Sequence, residues 1–394
     1  MAAKSAYLLI LSVIFLVALS VVMLSSTSAF STDAYSDGAD LYYDVKRQFL
    51  WIAIGVAACV FFAAIDYHWL QRLAVPCYFL AAVLLALCFV PYVGESAGGA
   101  SRWISGKAIG LSSLRGQPSE LAKIAVVVML AAWYAGSETR REKFLHGFAI
   151  PLLILALIVG LVGAEVDIGS AALIATGGMG VIFAAGVRWR YLGTMALVGI
   201  SSAAALAVAF HASLTMQNRM ARIMAFMDLE AHKTGLGLQQ WRALMAFGSG
   251  GIEGLGLGQG RQKMLYLPFA HTDFIFPMVG EELGLPFTLA VVFCFVLIAI
   301  CGLLIAGNAP DRFGKLLGIG LISMLVVQAM LNIGVTTSVL PNKGLPLPFV
   351  SYGGSNLVCC LIAVGVLLNI YRQGIVAPEK EGGRILRTKM TPRV

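Results

Sequence analysis

An all-α integral membrane protein of about ten transmembrane helices is predicted from three observations. These are an apolar composition, a series of runs long enough to cross a bilayer, and an uneven placement of basic residues between the loops. Hydrophobic residues make up 59% of the 394 and charged residues 12%, where soluble domains carry roughly 45–50% and about 25%. With a mean hydropathy of +0.85, too little charge remains to cover a water-soluble surface. All seven cysteines fall inside apolar runs, without the spacing of a disulfide framework or zinc site, and the five histidines are scattered.

A span needs about 20 apolar residues. Runs that meet or approach this length occupy 6–26, 49–65, 74–92, 119–136, 148–164, 170–186, 191–212, 284–306, 317–337 and 355–371, with 274–283 an ambiguous entry to the eighth. The first run follows Lys4 without an evident cleavage site and reads as a span, not a leader. An even number of spans puts both termini on one side. Short loops on that side carry Arg72, Arg140, Arg141, Lys143, Arg188, Arg190, Arg312 and Lys315. The tail 372–394 adds six basic residues against two acidic ones. Basic residues in short loops mark the cytoplasmic side, whereas long loops translocate largely regardless of charge. The net charge of +8 is therefore read as topology, with no nucleic-acid partner expected. Residues 1–371 form one polytopic domain on this reading, and 372–394 a basic cytoplasmic tail.

Four segments on the opposite side are candidates for function: 27–48, 93–118, 213–273 and 338–354. The third, between spans seven and eight, has the length of a functional loop. It holds Arg219, Arg222, Lys233, Arg242, Arg261 and Lys263, and a glycine run from Gly248 to Gly260. The alternating glycines fail the G-x-G-x-x-G test of a nucleotide loop. They suit either close backbone approach to a ligand or simple flexibility. The loop closes on His271-Thr272-Asp273, just before Phe274-Ile275-Phe276. Partial desolvation there makes the Asp273 carboxylate a better proton acceptor, and neighbouring cations suit chemistry on an anionic substrate. A helix cap is the structural alternative.

Other candidates divide in the same way. Glu120 and Lys123 sit at the start of the fourth span, three residues apart on one helical face. Charged residues inside a span face a cavity or a partner, so the pair is either part of a site or a lock between helices. Ser119 is the expected cap there. Glu281, Glu282, Glu165 and Asp167 are lower-ranked acids that equally cap helices. Pro341, Pro346 and Pro348 exclude a continuous helix in the last segment, which reads as irregular backbone lining a wet cavity. There Lys343 supplies charge and Ser351 a donor. Arg102 and Trp103 pair a phosphate-binding cation with a sugar-stacking ring, or Trp103 is an interfacial anchor.

Together these motifs are specific. "HTDFIF" (271–276), "GEELG" (280–284), "PNKGLPLPFVSYGGSN" (341–356) and "QPSE..K" (117–123) resemble the SEDS family of bacterial cell-wall polymerases over essentially the whole chain. The Lys343-Gly344 pair resembles the cell-division branch, with the elongation branch as the alternative. The resemblance implies a peptidoglycan glycosyltransferase of the bacterial inner membrane, working on the extracytoplasmic face. Its substrate would be lipid II and the growing undecaprenyl-pyrophosphate-linked glycan. Asp273 would be the essential acid, and Glu120, Lys123 and Lys343 would lie near a central cavity. It further implies a class B penicillin-binding transpeptidase and other division membrane proteins as partners. Leaving-group stabilisation could be shared by a divalent cation, magnesium or manganese, for which the sequence offers no cage. A lipid II flippase is the competing function. The chain departs from the family's usual pattern at Phe269, where an acid is common, at Leu265, in "EVDIG" (165–169), and at Pro277.

Overall fold

The computed structural model describes residues 2–28, 43–90, 94–97, 100–105, 115–137, 143–165, 167–188, 190–191, 193, 221, 224–264, 267 and 270–389. Among these, seven helices are long and apolar enough to cross a membrane, and two shorter apolar helices accompany them. The long ones are α1 (Ala2–Ser28), α2 (Tyr43–Ala64), α5 (Pro118–Ala135), α6 (Ile150–Ala164, entered by a π-helical turn Leu145–Ala149), α9 (Ile275–Gly307), α10 (Arg312–Thr336) and α11 (Gly354–Lys389). The shorter apolar pair is α4 (Ala74–Leu87) and α7 (Ile168–Ala184); α3 (His68–Arg72) is a linking turn, and α8 is Leu238–Gly250. The seventh expected span, 191–212, lies almost wholly outside the described residues. The apolar part of α11 ends at Ile375, while helical backbone continues to Lys389 through most of the expected tail.

Helices α5 and α10 are largely enclosed, whereas α2 turns most of its surface outward. In the bundle α10 packs on α5, α7 and α9, and α2 lies along α11. At the last of these contacts Gly365 meets the Cys59 carbonyl so closely that a Cβ would collide with it. Small residues permit such approach where lipid supplies no hydrophobic drive between helices.

Two departures from the sequence reading concern the expected loops. A three-stranded antiparallel sheet, β1 (Gly94–Ala97), β2 (Ala100–Ser105) and β3 (Arg115–Gly116), stands before α5 in a chain read as all-α. Helix α8 occupies the middle of the segment read as a loop, because Gln240, Ala243, Ala246 and Gly250 form a buried stripe that packs on α9.

The ambiguous entry to the eighth span proves to be a short helical stretch ahead of a kink. Gly284 adopts φ 75° inside α9, and Pro286 follows it. Proline has no N–H to give the carbonyl one turn earlier, and the Leu285 N–H turns outward to Gly251 and Ile252. The glycine run supplies what is missing: Leu255 N–H donates to the Glu281 carbonyl (2.9 Å) and Gly256 N–H to that of Glu282 (3.0 Å). Only glycine adopts this φ without strain, and a Cβ on Gly284 would strike the Ile252 carbonyl. Gly284→Ala should therefore lower stability by at least about 1–2 kcal/mol from the backbone alone, read as a lower unfolding midpoint in detergent.

The bundle has two polar ends. One joins Tyr67 to Asp311, Gln373 to Asp66, and Arg372 to the Ala64 carbonyl. The other gathers Ser26, Gln117, Asp167, the glycine run and residues 338–353. Helix α1 runs toward Ser26 and α11 away from Tyr352, so Asp273 lies at the end opposite the start of α1 and the far part of α11.

Candidate active site

Asp273 is half-buried at the residue before α9's cap. The cap itself is Phe274, which makes no side-chain cap bond, so the helix-cap alternative for Asp273 does not hold. Facing it is the segment 338–353, which has no helix and turns back into the bundle. Alternate residues Leu345, Leu347 and Phe349 are buried and anchor it. Gln328 donates to the Pro346 carbonyl (2.8 Å). Gln328 stands eight residues before the end of α10, so the segment reaches about 12 Å below that end. Leu347 N–H donates to Ser351 Oγ (2.8 Å), closing a turn, and Tyr352 N–H reaches across to the His271 carbonyl (3.0 Å). Phe349 holds φ 65°, a strained backbone for a bulky residue.

The approach between loop and segment is close. A Cβ placed on Gly344 would lie 2.5 Å from Asp273 Oδ2, so the carboxylate rests directly against the backbone of Gly344. Lys343 precedes it and is exposed. Gly344→Ala should displace the carboxylate while leaving the fold intact, since Gly344 is exposed and does not have a left-handed φ. We expect turnover about 10–100-fold lower, as a shift near 1 Å in a reacting group costs about that much, with an unchanged unfolding midpoint.

Deeper in the bundle, Lys123 Nζ is 2.7 Å from Glu120 Oε2, with both side chains buried. Lys123 also donates to Gln328 Oε1 (3.1 Å), and Asn356 Nδ2 donates to Glu120 (3.1 Å). The pair lines a small pocket with Met324, Gln328, Cys359 and Cys360. The pair joins α5 to α10 and α11, as a lock between helices would, and through Gln328 it is linked to the segment beside Asp273. Ser119 is not the cap; Gln117 precedes the helix and Pro118 opens it.

The remaining expected residues divide by location. His271 faces the Tyr352 ring at 6.1 Å; burial, then the nearby Asp44 charge, pushes the Tyr352 phenol up, so it stays a donor. Lys263, read as a phosphate-binding cation, is instead buried and held at 2.7 Å by both Glu282 and Ser26. Glu281 accepts from the N–H groups of Arg261 (3.0 Å) and Gln262 (3.2 Å), and Glu282 from that of Gly258 (3.1 Å). The acidic pair thus organises the glycine run, whose close backbone approach is to these carboxylates: a Cβ on Gly260 would lie 2.8 Å from Glu282 Oε1. Asp167 caps α7, accepting from Ser170 N–H (3.2 Å), and Glu165 is buried at the end of α6. Arg102 and Trp103 lie on β2, with Trp103 half-buried and paired in register with Glu95. Arg219 and Arg222 lie outside the described residues.

With this geometry, the comparison with known proteins is decisive. The family model for the cell cycle proteins FtsW, RodA and SpoVE matches residues 6–374. The chain belongs to this family. It is 39% identical over 352 residues to a protein named probable peptidoglycan glycosyltransferase FtsW of Geobacter metallireducens, covering 89% of this chain and 90% of that one. It is 36% identical to the stage V sporulation protein E of Bacillus subtilis, covering 93% and 96%. Among solved structures it resembles a chain of a peptidoglycan synthase complex described as coordinating polymerization and crosslinking, with TM-score 0.73, 28% identity, and coverage of 93% and 97%. It also resembles the rod shape determining protein RodA of Thermus thermophilus, with TM-score 0.66, 27% identity, and coverage of 93% and 96%. As in this family, the chain is a multi-pass membrane protein.

Sequence reasoning missed Gln328 and Asn332. Both are buried amides one helical turn apart on α10, and Asn332 Nδ2 donates to the carbonyls of Asp273 (2.8 Å) and Leu345 (2.6 Å). Their signal was two amides at i and i+4 in an otherwise apolar run. Among the described residues no three His, Cys, Asp or Glu side chains come together in a way that could hold a metal, so this donor set does not fit a protein-built cation cage.

Proposed function

We propose that the chain polymerises lipid-linked disaccharide units into peptidoglycan glycan strands during septal wall synthesis, as an inverting glycosyltransferase. The observation that carries this reading is the Asp273 carboxylate, held at the polar end of the bundle against Gly344 and beside Lys343. Asp273 takes the proton of the acceptor sugar's 4-hydroxyl. That oxygen attacks C1 of the donor sugar, the bond from C1 to the lipid pyrophosphate breaks, and its electron pair leaves with the pyrophosphate. Lys343 and the cations of the outer loops, Arg102, Arg219 and Arg222 among them, stabilise the charge that develops there. The donor's lipid tail needs an apolar lateral path, which a bundle in the bilayer offers.

The reading also sets orientation: the end bearing Asp273 is extracytoplasmic, and both termini are cytoplasmic. It makes a class B penicillin-binding transpeptidase and other division membrane proteins the expected partners. The likeness to a chain of a peptidoglycan synthase complex supports such a partner. The mechanism routes no step through a divalent cation.

The test is conversion of labelled lipid II by the purified full chain, with its transpeptidase partner where needed. Lengthening glycan strands are expected. Movement of labelled lipid II across vesicle membranes without any polymer would contradict the reading and favour a flippase.

A further inference from the structure

We propose that Asn332 is a positioning residue for Asp273. Its single amide ties the main chain at Asp273 to the segment carrying Lys343 and Gly344, and so sets where the carboxylate stands. The kinetic part of this inference rests on the glycosyltransferase reading above.

The amide donates to the main-chain oxygens of Asp273 (2.8 Å) and Leu345 (2.6 Å) at once. Its orientation is unambiguous, because both partners are acceptors and only the NH2 face satisfies them. The two partners are 72 residues apart in sequence and are bridged here by one amide, on a helix packed against α5, α7 and α9. Since the bond is to the Asp273 carbonyl, the anchor does not use the carboxylate. Gln328, one turn earlier, repeats the device on the next carbonyl, that of Pro346 (2.8 Å), while accepting from Lys123. Asn332 is itself 2% exposed, and its Oδ1 has no partner among the described residues. A buried, unpaired oxygen is costly, so stability alone does not account for an amide at this position. The two bonds it makes do.

A merely structural amide is available for comparison. Asn369, at the other end of the bundle, likewise donates to main-chain carbonyls, those of Phe62 (2.9 Å), Ala63 (3.1 Å) and Ile65. The experiment measures lipid II polymerisation by the full chain and by Asn332→Leu, Asn369→Leu and Asp273→Asn, each assayed equally far below its own unfolding midpoint. Amide hydrogen exchange is followed in parallel. Asn332→Leu should lose about 10–100-fold in kcat with KM within about threefold. Its exchange should rise in peptides covering 270–274 and 344–350 together. Asn369→Leu should keep kcat and raise exchange only around 62–65. Should Asn332→Leu fail to accumulate, Asn332→Ser, which stays polar but lacks the second donor, is judged by the same criteria.

Unchanged kcat in Asn332→Leu beside an inactive Asp273→Asn would overturn the positioning role while leaving the function intact. Equal kcat losses in Asn332→Leu and Asn369→Leu would reduce Asn332 to a structural amide. Full activity in Asp273→Asn would instead show that the base assignment itself had failed, and with it this role.

Discussion

Asp273→Asn should polymerise lipid II about a thousandfold more slowly than the unaltered chain, with little change in unfolding midpoint. A positioned general base contributes about 10²–10⁴-fold, and asparagine keeps the size of the side chain while removing its capacity to take a proton. The fold should tolerate the exchange because the Asn332 anchor is made to the main-chain oxygen at 273, which both residues possess. Gel-resolved glycan length and initial rate measure the chemistry, and detergent-phase thermal unfolding measures the fold. Activity near that of the unaltered protein would remove Asp273 from the reaction.

The second large effect is on stability. Lys123→Met should destabilise the chain by about 3–5 kcal/mol, because it leaves the Glu120 carboxylate buried without its cation. Glu120→Gln should cost a similar amount by stranding Lys123. The double variant Glu120→Gln/Lys123→Met should recover most of the loss, since a buried ion pair and a neutral pair of similar volume differ little in stability. A double-mutant cycle by denaturant titration reads this coupling directly. The same variant separates the two readings of the pair. With the lysine gone, Gln328 loses the contact that holds its oxygen, and the Pro346 carbonyl loses a fixed donor. The double variant should therefore fold yet stay at least tenfold below normal turnover. Restored turnover along with restored stability would make the pair a lock between helices and nothing more.

How far the chain could be read in advance follows from the range of each interaction. Helices α1, α9 and α10 were legible because an apolar run of bilayer length is a local property. The kink in α9 was only half legible. Residues 274–283 read only as an ambiguous entry to the eighth span, and the N–H groups that repair the break come from Leu255 and Gly256, some 26 residues upstream for each carbonyl they meet. Lys263 shows the same limit more sharply. A lysine in a basic outer loop reads as a phosphate-binding cation, and nothing near it in sequence reveals that Glu282 and Ser26 enclose it.

Asp273 was legible as a candidate because its signature is compact: an acid at the edge of an apolar run, inside a specific motif. Its supports were not. The prolines after α10 marked irregular backbone and two amides four residues apart broke an apolar run, but that the one folds back onto the other is a tertiary pairing with no local mark. The small sheet before α5 escaped notice for a simpler reason, as its strands are only four, six and two residues long and show no clear alternation.

The central claim is that the Asp273 carboxylate takes the acceptor's proton, and chemical rescue tests it most directly. Asp273→Ala removes the carboxylate and leaves a space beside Gly344 that a small carboxylate from solution can enter. Polymerisation by Asp273→Ala should be nearly absent in plain buffer and should rise in proportion to added formate, while chloride at equal ionic strength has no effect. Polymerisation by Asp273→Ala at the rate of the unaltered protein, with no formate present, would contradict the account.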